Sequence, residues 1–454
     1  MTADREPAFR HDDTGTDEEE WFRTPLLDAA DELRLDPFDR VVVVAAHPDD
    51  ETLFAGGLIA SAAARGRAVT VVLATAGEAS HPDSPTHGRE ELRRIRSVEF
   101  RDAVGALAPD AEVHLAGLDD GQIASRLTDL VEAVVAALGP EAESTLLISP
   151  WAGDRHPDHE AAADACATAA SRTGATHLEA PLWLWHWGHP SDLEPLTENH
   201  RLVRFAVDGP ALQAKRSAMA RYPSQTSPLG PEPGNEAIVG RNVTVHFDRV
   251  TEHFIRPLPR VDRPFEGLHE ATPDPWNTRS AWYEERKRAL TLAALPQGRY
   301  AAALELGCSV GALAHDLASR CDAVTAVDES AAALAQARAY WDSDRIEWVE
   351  ASFPEEWDSI VEGRVIDLVV ISEVGYFLSP PRMVELARRV SELAPRAVLA
   401  CHWRHPIHGW PLDSRRVHRI LDEHLGMTAG TSITDPDFDL RVWTDEAPGP
   451  VHRS

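Results

Sequence analysis

Val41-Val42-Val43-Val44-Ala45-Ala46-His47-Pro48-Asp49-Asp50-Glu51 decides how this chain is read, because its ending recurs as His156-Pro157-Asp158-His159-Glu160. The two polar strings differ at one position, Asp50 against His159. The apolar run before the first is rich in β-branched residues and reads as a buried parallel strand. Thr145-Leu146-Leu147-Ile148-Ser149 reads as the strand before the second. A helix is expected after each turn, since Pro48 and Pro157 suit a first helical position, where a missing N–H costs nothing. Residues three apart share a helical face, so His47 converges with Asp50, and His156 with His159. Both turns then sit at carboxyl ends of strands, where open α/β sheets place their ligands. Together they offer three histidines and several carboxylates. Imidazole and carboxylate donors suit Zn²⁺, which in catalytic sites takes three protein ligands and leaves a position open. One turn is too few; the second completes the set.

Working outward, Glu51 to Arg65, Arg89 to Leu107 and Leu127 to Leu138 read as helices, and Ala68 to Ala74 as a strand. From Pro257 to Pro275 the alternation breaks, and Pro257, Pro259, Pro264, Pro273 and Pro275 mark an extended linker. It then restarts, with a helix at Ala281 to Leu295 and strands at Ala301 to Leu306, Ala323 to Val327, Ile346 to Val349, Leu368 to Ile371 and Ala397 to Ala400. Strand–helix alternation on both sides of a linker predicts α/β architecture in two doubly wound domains, as does a length of 454 residues.

The formal net charge is −30. So acidic a surface repels phosphate backbones and anionic lipid, which argues against nucleic acid and membrane as partners. Asp17-Glu18-Glu19-Glu20 belongs to a polar N-terminal stretch expected to be disordered. No basic segment with an apolar stretch opens the chain, and no apolar run nears the roughly 20 residues of a membrane span. No pair of the four cysteines has C-x-x-C spacing, and a reducing cytoplasm is the simplest home.

On A-H-P-D-D-E at 46–51 and H-P-D-H at 156–159, supported by Arg93 to Glu99 and by Lys215 to Gln225, the stretch from about 40 to 256 resembles the LmbE-like, or GlcNAc-PI de-N-acetylase, family. The resemblance implies hydrolysis of N-acetyl groups, mostly on amino sugars, with zinc or another divalent metal. It makes His47, Asp50 and His159 the metal ligands. Asp49 becomes the base that takes a proton from water, and His156, oriented by Asp158, a protonated group serving the oxyanion or the leaving amine. Where some relatives carry a tyrosine, this chain has Asp154. His81-Pro82-Asp83 lacks a preceding strand and reads as loop, and Asp119-Asp120-Gly121 as a turn more than a ligand set. Trp183, Trp185 and Trp187 alternate as on an extended segment, facing either a sugar ring or the core.

Ala303 to Gly311 is a strand entering a glycine-rich loop. Gly307-Cys308-Ser309-Val310-Gly311 also fits the G-x-S-x-G nucleophile elbow. Glu305 ahead of the loop, and Asp328 closing the next strand about 20 residues after the first glycine, favour a nucleotide loop. With Trp282-Tyr283-Glu284-x-Arg286-Lys287, Ser372 to Tyr376 and Cys401 to Pro406, this region resembles class I methyltransferases of the NodS-like branch. That implies S-adenosylmethionine, with Gly307, Ser309 and Gly311 at its methionine moiety, Asp328 at its ribose, and Ser352 where many relatives have an adenine-contacting acid. Glu305 and Glu373 join the cofactor-binding set. Glu373, Tyr376 and His402 are candidates for positioning the methyl acceptor, and His402, His405 and His408 read as a substrate-facing loop.

The expected organisation is a disordered tail at 1–38, a deacetylase domain at 39–256, a linker at 257–275 and a methyltransferase domain at 276–446. The expected activity is deacetylation of an N-acetylated amino sugar or glycoconjugate, a small-molecule substrate, followed by methylation of the freed amine. Two alternatives remain open at this stage: a second domain that is only a scaffold, or one that methylates a hydroxyl of an unrelated metabolite. The oligomeric state is not readable.

Overall fold

The computed structural model describes residues 13–194, 201–257, 265–405, 407 and 409–445, and the chain divides into two compact units at Arg260/Val261. In the first unit the strands are β1 (Asp31–Glu32), β2 (Arg40–Ala45), β3 (Ala68–Thr75), β4 (Glu112–Leu118), β5 (Thr145–Pro150), β6 (Thr176–Ala180), β7 (Arg201–Ala206) and β8 (Thr251–Arg256). They form one sheet in the order β1-β7-β8-β6-β5-β2-β3-β4. The run from β6 to β4 is parallel, and β8 enters antiparallel to β6 and β7. Both faces of β2 are covered. Val41, Val43 and Ala45 belong to one apolar core, and Val42, Val44 and Ala46 to another. That explains why the strand is apolar throughout instead of alternating.

The second unit contains β9 (Tyr300–Leu306), β10 (Cys321–Asp328), β11 (Ile346–Glu350), β12 (Leu368–Ser372), β13 (Ala397–Trp403), β14 (Thr428–Thr434) and β15 (Phe438–Thr444). The order is β11-β10-β9-β12-β13-β15-β14, parallel as far as β13, with β15 and β14 closing the edge antiparallel. Val369 and Ile371 of β12 face one core, Leu368 and Val370 the other. Both units are therefore α/β and doubly wound.

Three expectations change. The acidic N-terminal stretch is ordered across its described part: Glu18–Phe22 and Pro25–Asp28 are helices and β1 pairs with β7. Asp17, Glu19 and Glu20 are exposed, but Glu18 turns inward to His246 at 2.5 Å and Arg249 at 2.6 Å, while Trp21, fully buried, meets Trp185 edge-on at 5.0 Å and donates its indole N–H to the Trp185 carbonyl at 2.9 Å. Second, the expected linker contains the helix Phe265–Ala271, which belongs to the second unit; residues 258–264 lie outside the described set. Third, Trp183 to Trp187 is not extended. Leu184–Trp187 is a helical turn, in which residues two apart diverge. Trp183 and Trp185 enter the core, and Trp187 lies under Arg155 at 3.6 Å. Among the described residues no helix is long and apolar enough to cross a membrane.

Trp21 ties the N-terminal stretch to the body of the first unit. Trp21→Ala is expected to cost about 3–5 kcal/mol, the usual range for deleting a buried tryptophan, and urea denaturation should show a lower midpoint. An unchanged midpoint would mean that the stretch contributes nothing to stability.

Candidate active sites in the two units

In the first unit, β2 and β5 are neighbours, with Val43 opposite Ile148. Their following turns therefore meet at the carboxyl edge of the sheet. Pro157 begins the helix Pro157–Thr173, and Asp49 caps the helix Asp50–Ala64. Asp49 holds the left-handed region at φ 107°, a strained backbone for an aspartate. The His47, His156 and His159 rings lie 4.6–5.5 Å apart, centroid to centroid.

Asp50 lies between two of these rings. One of its oxygens is 3.8 Å from His47 Nδ1, the other 3.5 Å from His159 Nε2. The opposite edge of each imidazole faces a carboxylate. His47 Nε2 is 3.2 Å from Asp158 and 3.3 Å from Asp120. His159 Nδ1 donates to Asp154 at 2.7 Å, and Asp154 also accepts the Leu182 and Leu184 amides. Outer carboxylates that fix imidazole orientation are a regular feature of metal centres. His159 Nε2 is buried with no hydrogen-bond partner, as is Asp49 Oδ2. Ligand atoms of His47, His156 and His159 lie within 4.8 Å of one another, as do those of His47, Asp120 and Asp158, and Asp50 lies between His47 and His159, so the cluster has the donors a divalent ion needs.

The electrostatics agree. Burial opposes a charge on His47, but Asp120 and Asp158 outweigh it and hold the imidazole well above the usual range. Burial likewise opposes a charge on His159, yet Asp50 and Asp154 raise it to about 9. Asp120 is drawn down to about 2, His47 overcoming the effect of burial. The pocket holds more carboxylate than cation and draws protons onto its imidazoles, and an ion would take their place. Burial, then Asp50 and Glu51, raise Asp49 well above the carboxylate range. Burial and the two other imidazoles hold His156 well below the histidine range.

Asp158 does not orient His156, as the sequence reading had it. From the first turn of its helix it reaches across to His47 and accepts the Gly121 amide at 2.8 Å, while His156 Nδ1 has no partner. Three residues were not singled out as functional from sequence. Asp154, at the position of the tyrosine in some relatives, holds a candidate ligand. Asp120 does lie in a turn, with Gly121 at φ 80°, and that turn also delivers its carboxylate to His47. Arg96, 1% exposed, leaves two guanidinium nitrogens unpartnered beside Asp49 and Asp120. Further back, Tyr222 donates to Glu51 at 2.6 Å, Gln225 donates to the Pro48 carbonyl, and Ser224 donates to Glu99 at 2.5 Å. These bonds buttress the first histidine turn.

In the second unit, a cavity of about 560 Å³ opens over the loop after β9. Gly307 and Gly311 are left-handed, and a Cβ would come within 2.6 Å of Val374 and 2.3 Å of Trp348, so the loop closes only with glycine. Asp328 accepts the Ser309 amide at 2.8 Å and the Ser330 amide at 3.0 Å. Glu305 lines the cavity, with one carboxylate oxygen buried and unpartnered. Burial, then Asp328, raise its carboxyl well above the usual range. A glycine cradle beside unpaired acceptors fits a nucleotide-bearing cation such as S-adenosylmethionine. Ser352 Oγ is buried without a partner. For the elbow alternative, Ser309 Oγ meets His269 Nε2 at 3.4 Å, but His269 Nδ1 has no partner, so a triad's third member is missing.

Glu373, Tyr376, Tyr283, Glu284 and Lys287 line the same cavity. His402 does not. It is fully buried, taking the Gly375 amide on Nε2 at 3.1 Å and meeting His418 with Nδ1 at 3.1 Å. Both its nitrogens are engaged inside the protein, which removes it as a group that positions an acceptor. His405 lies near Asp437 at 3.5 Å, and Pro406 and His408 lie outside the described residues.

Asp154→Ala is expected to weaken zinc binding by about ten- to a hundredfold, the usual effect of losing a carboxylate behind a ligand histidine. Titration against a competing chelator measures it. Unchanged affinity would leave Asp154 a role in the loop alone.

A GlcNAc-PI de-N-acetylase (PIG-L) family model matches residues 42–170, and a nodulation protein S (NodS) model matches residues 268–396. The 1D-myo-inositol 2-acetamido-2-deoxy-alpha-D-glucopyranoside deacetylase of Rhodococcus erythropolis is 30% identical over 267 residues, 48% of this chain and 90% of that protein. Nodulation protein S of Sinorhizobium fredii is 33% identical over 129 residues, 28% of this chain, which spans 58% of that relative's length. Among solved structures, the N-methyltransferase NodS of Bradyrhizobium japonicum with S-adenosyl-l-homocysteine is 22% identical over 40% of this chain and 98% of that one, with a TM-score of 0.35. The chain belongs to the GlcNAc-PI de-N-acetylase family through its first unit and joins to it a unit similar to nodulation protein S.

Proposed function

We propose that the chain removes an acetyl group from an N-acetylated amino sugar or glycoconjugate and then methylates the nitrogen it has freed. The observation that carries the first half is the cluster of His47, His156 and His159, with Asp50 between His47 and His159 and with Asp49, whose free oxygen is buried and unpartnered, in the same turn. His47, Asp50 and His159 would hold a divalent ion, zinc by donor chemistry. The ion would supply Lewis acidity to a water and to the amide carbonyl. Asp49 takes the water's proton, its raised affinity suiting a base that works near neutral pH. His156 stands beside the same point and donates toward the departing nitrogen once it holds a proton.

For the second half, the glycine loop, Glu305 and Asp328 would hold S-adenosylmethionine, which supplies a methyl group on sulfonium. The amine must arrive uncharged, because its lone pair forms the new N–C bond while the S–C bond breaks toward sulfur. Glu373 and Tyr376, joined by a hydrogen bond, face the cavity where that amine would lie.

Mass spectrometry of a methyl N-acetylglucosaminide, incubated with the zinc-loaded protein, tests the sequence of steps. Acetyl loss is expected with or without S-adenosylmethionine, and methyl gain only with it. Asp49→Ala should slow acetyl loss by about 10²–10⁴-fold and, with it, methylation of the acetylated compound. Methylation of the free amine should proceed as in the unaltered protein. A variant that still methylates the acetylated compound at full rate would refute the coupling.

A further inference from the structure

One ion-paired group in the second cavity has no counterpart among the loop residues that would hold the cofactor. Lys287, 4% exposed, directs its ammonium to Glu373 at 2.7 Å and to Glu284 at 3.0 Å. Burial would strip its proton, but Glu373 and Glu284 outweigh it and raise the lysine further. Lys287 is therefore a donor only, neither a base nor a competing methyl acceptor. Glu373 is tightly engaged: its other oxygen accepts the Tyr376 hydroxyl and the Trp403 amide at 3.0 Å. Its backbone is left-handed at φ 57°, a strained position for a glutamate at the end of a strand. Glu284 is different. Its second oxygen takes no hydrogen bond among the described residues, and the side chain is 14% exposed, within the cavity wall. An ammonium has three N–H donors, and Lys287 spends two on carboxylates.

The wall thus presents a Glu284 oxygen with no hydrogen bond among the described residues beside an ammonium that lies 4.9 Å from the Tyr283 ring centroid and whose third N–H meets no oxygen or nitrogen acceptor there. Their complement is a hydrogen-bond donor next to an acceptor. We infer that Glu284 and Lys287 form the acceptor subsite for a vicinal amino alcohol, Glu284 taking an N–H of the amine and Lys287 donating to the neighbouring hydroxyl oxygen. Lys287 also acts as a positioning residue, because it holds Glu373 in place. An isolated alkylamine would satisfy Glu284 and leave the Lys287 donor unpaired. The inference rests on the reading of the second unit as an amine methyltransferase and assigns the residues that would read the amine and the hydroxyl beside it.

The test uses the full chain with S-adenosylmethionine and two free amines, methyl 2-amino-2-deoxyglucopyranoside and its 3-deoxy analogue, which lacks the hydroxyl beside the amine. The unaltered protein is expected to favour the first by about tenfold or more in kcat/KM, the usual worth of a hydrogen bond to a charged group. Lys287→Met should bring the ratio near one. Glu284→Gln should raise KM for both amines and keep the ratio. A purely structural lesion would slow both amines alike and preserve the preference. Equal rates in the unaltered protein, or a preference that survives in Lys287→Met, would overturn the subsite. Calorimetry with S-adenosylmethionine checks each variant's fold; should Lys287→Met fail to bind it, an unchanged KM in Glu284→Gln overturns the proposal instead. If the unaltered protein binds S-adenosylmethionine but methylates neither amine, the amine-methyltransferase reading itself fails and the subsite falls with it.

Discussion

Both sites depend on two parallel strands that lie side by side while their chain connections run to opposite sides of the sheet. In the first sheet β2 passes outward to β3 and β4, and the chain returns to place β5 on the other flank of β2. In the second, β9 passes outward to β10 and β11, and β12 returns on the far flank. At such a point the crossover helices leave a crevice above the carboxyl ends. The histidine turns occupy it in one unit, the glycine loop and Glu373 in the other. Register makes the constraint strict. Each residue advances a strand by about 3.3 Å, so a slip of β5 by one position would move His159 by nearly its whole distance to Asp50, 3.5 Å. The close-packed cores on both faces of β2 and β5 oppose it, because a slip would misfit every interdigitated side chain.

The two crevices hold charge in different ways. Asp49, Asp50, Asp120 and Asp158 gather around the imidazoles with one buried guanidinium nearby, so the first pocket is short of positive charge. Two of its histidines, His47 and His159, answer by holding protons. In the second cavity the acidic groups are partly answered from within, since Lys287 sits between Glu284 and Glu373. The first arrangement suits a dense, exchangeable cation, and the second a ligand that carries donor and acceptor together. The buried ion pair is a weak source of stability on its own, which turns attention from folding to recognition as its use.

What could be read from sequence follows the physics of burial. Strands covered on both faces, β2, β5, β9 and β12, are continuous apolar runs and stood out. The edge strand β4 has most of its residues at least partly exposed and carries Glu112 and His114, so its pattern resembles loop. Strands β14 and β15 close the second sheet in an antiparallel pair interrupted by a register shift, and gave no comparable signal. Around the first site, the histidine turns were legible because their donors lie close in sequence. Asp120 and Asp154 were not, since each acts on a histidine through the tertiary fold or from outside the repeated motif. The acidic segment near the N-terminus misled for the opposite reason. Its charge dominates the composition, while the side chains that anchor it, Thr16, Glu18 and Trp21, are few and carry no sequence pattern.

The order of the proposed reactions is a property of the substrate nitrogen. In an amide the nitrogen lone pair is shared with the carbonyl, which gives the C–N bond its partial double-bond character. That pair is not available to attack a methyl group, so an acetylated nitrogen is inert in the second cavity however well it is placed. Hydrolysis restores the pair, and an uncharged amine can then meet the cofactor. A site lined by Glu284, Lys287 and Glu373 adds a second filter, because an acetamide keeps only one of the amine's two N–H donors and holds it in the plane of the acyl group. Electronic availability and donor complementarity therefore both select the deacetylated compound, and neither requires the two units to hold any particular arrangement relative to each other.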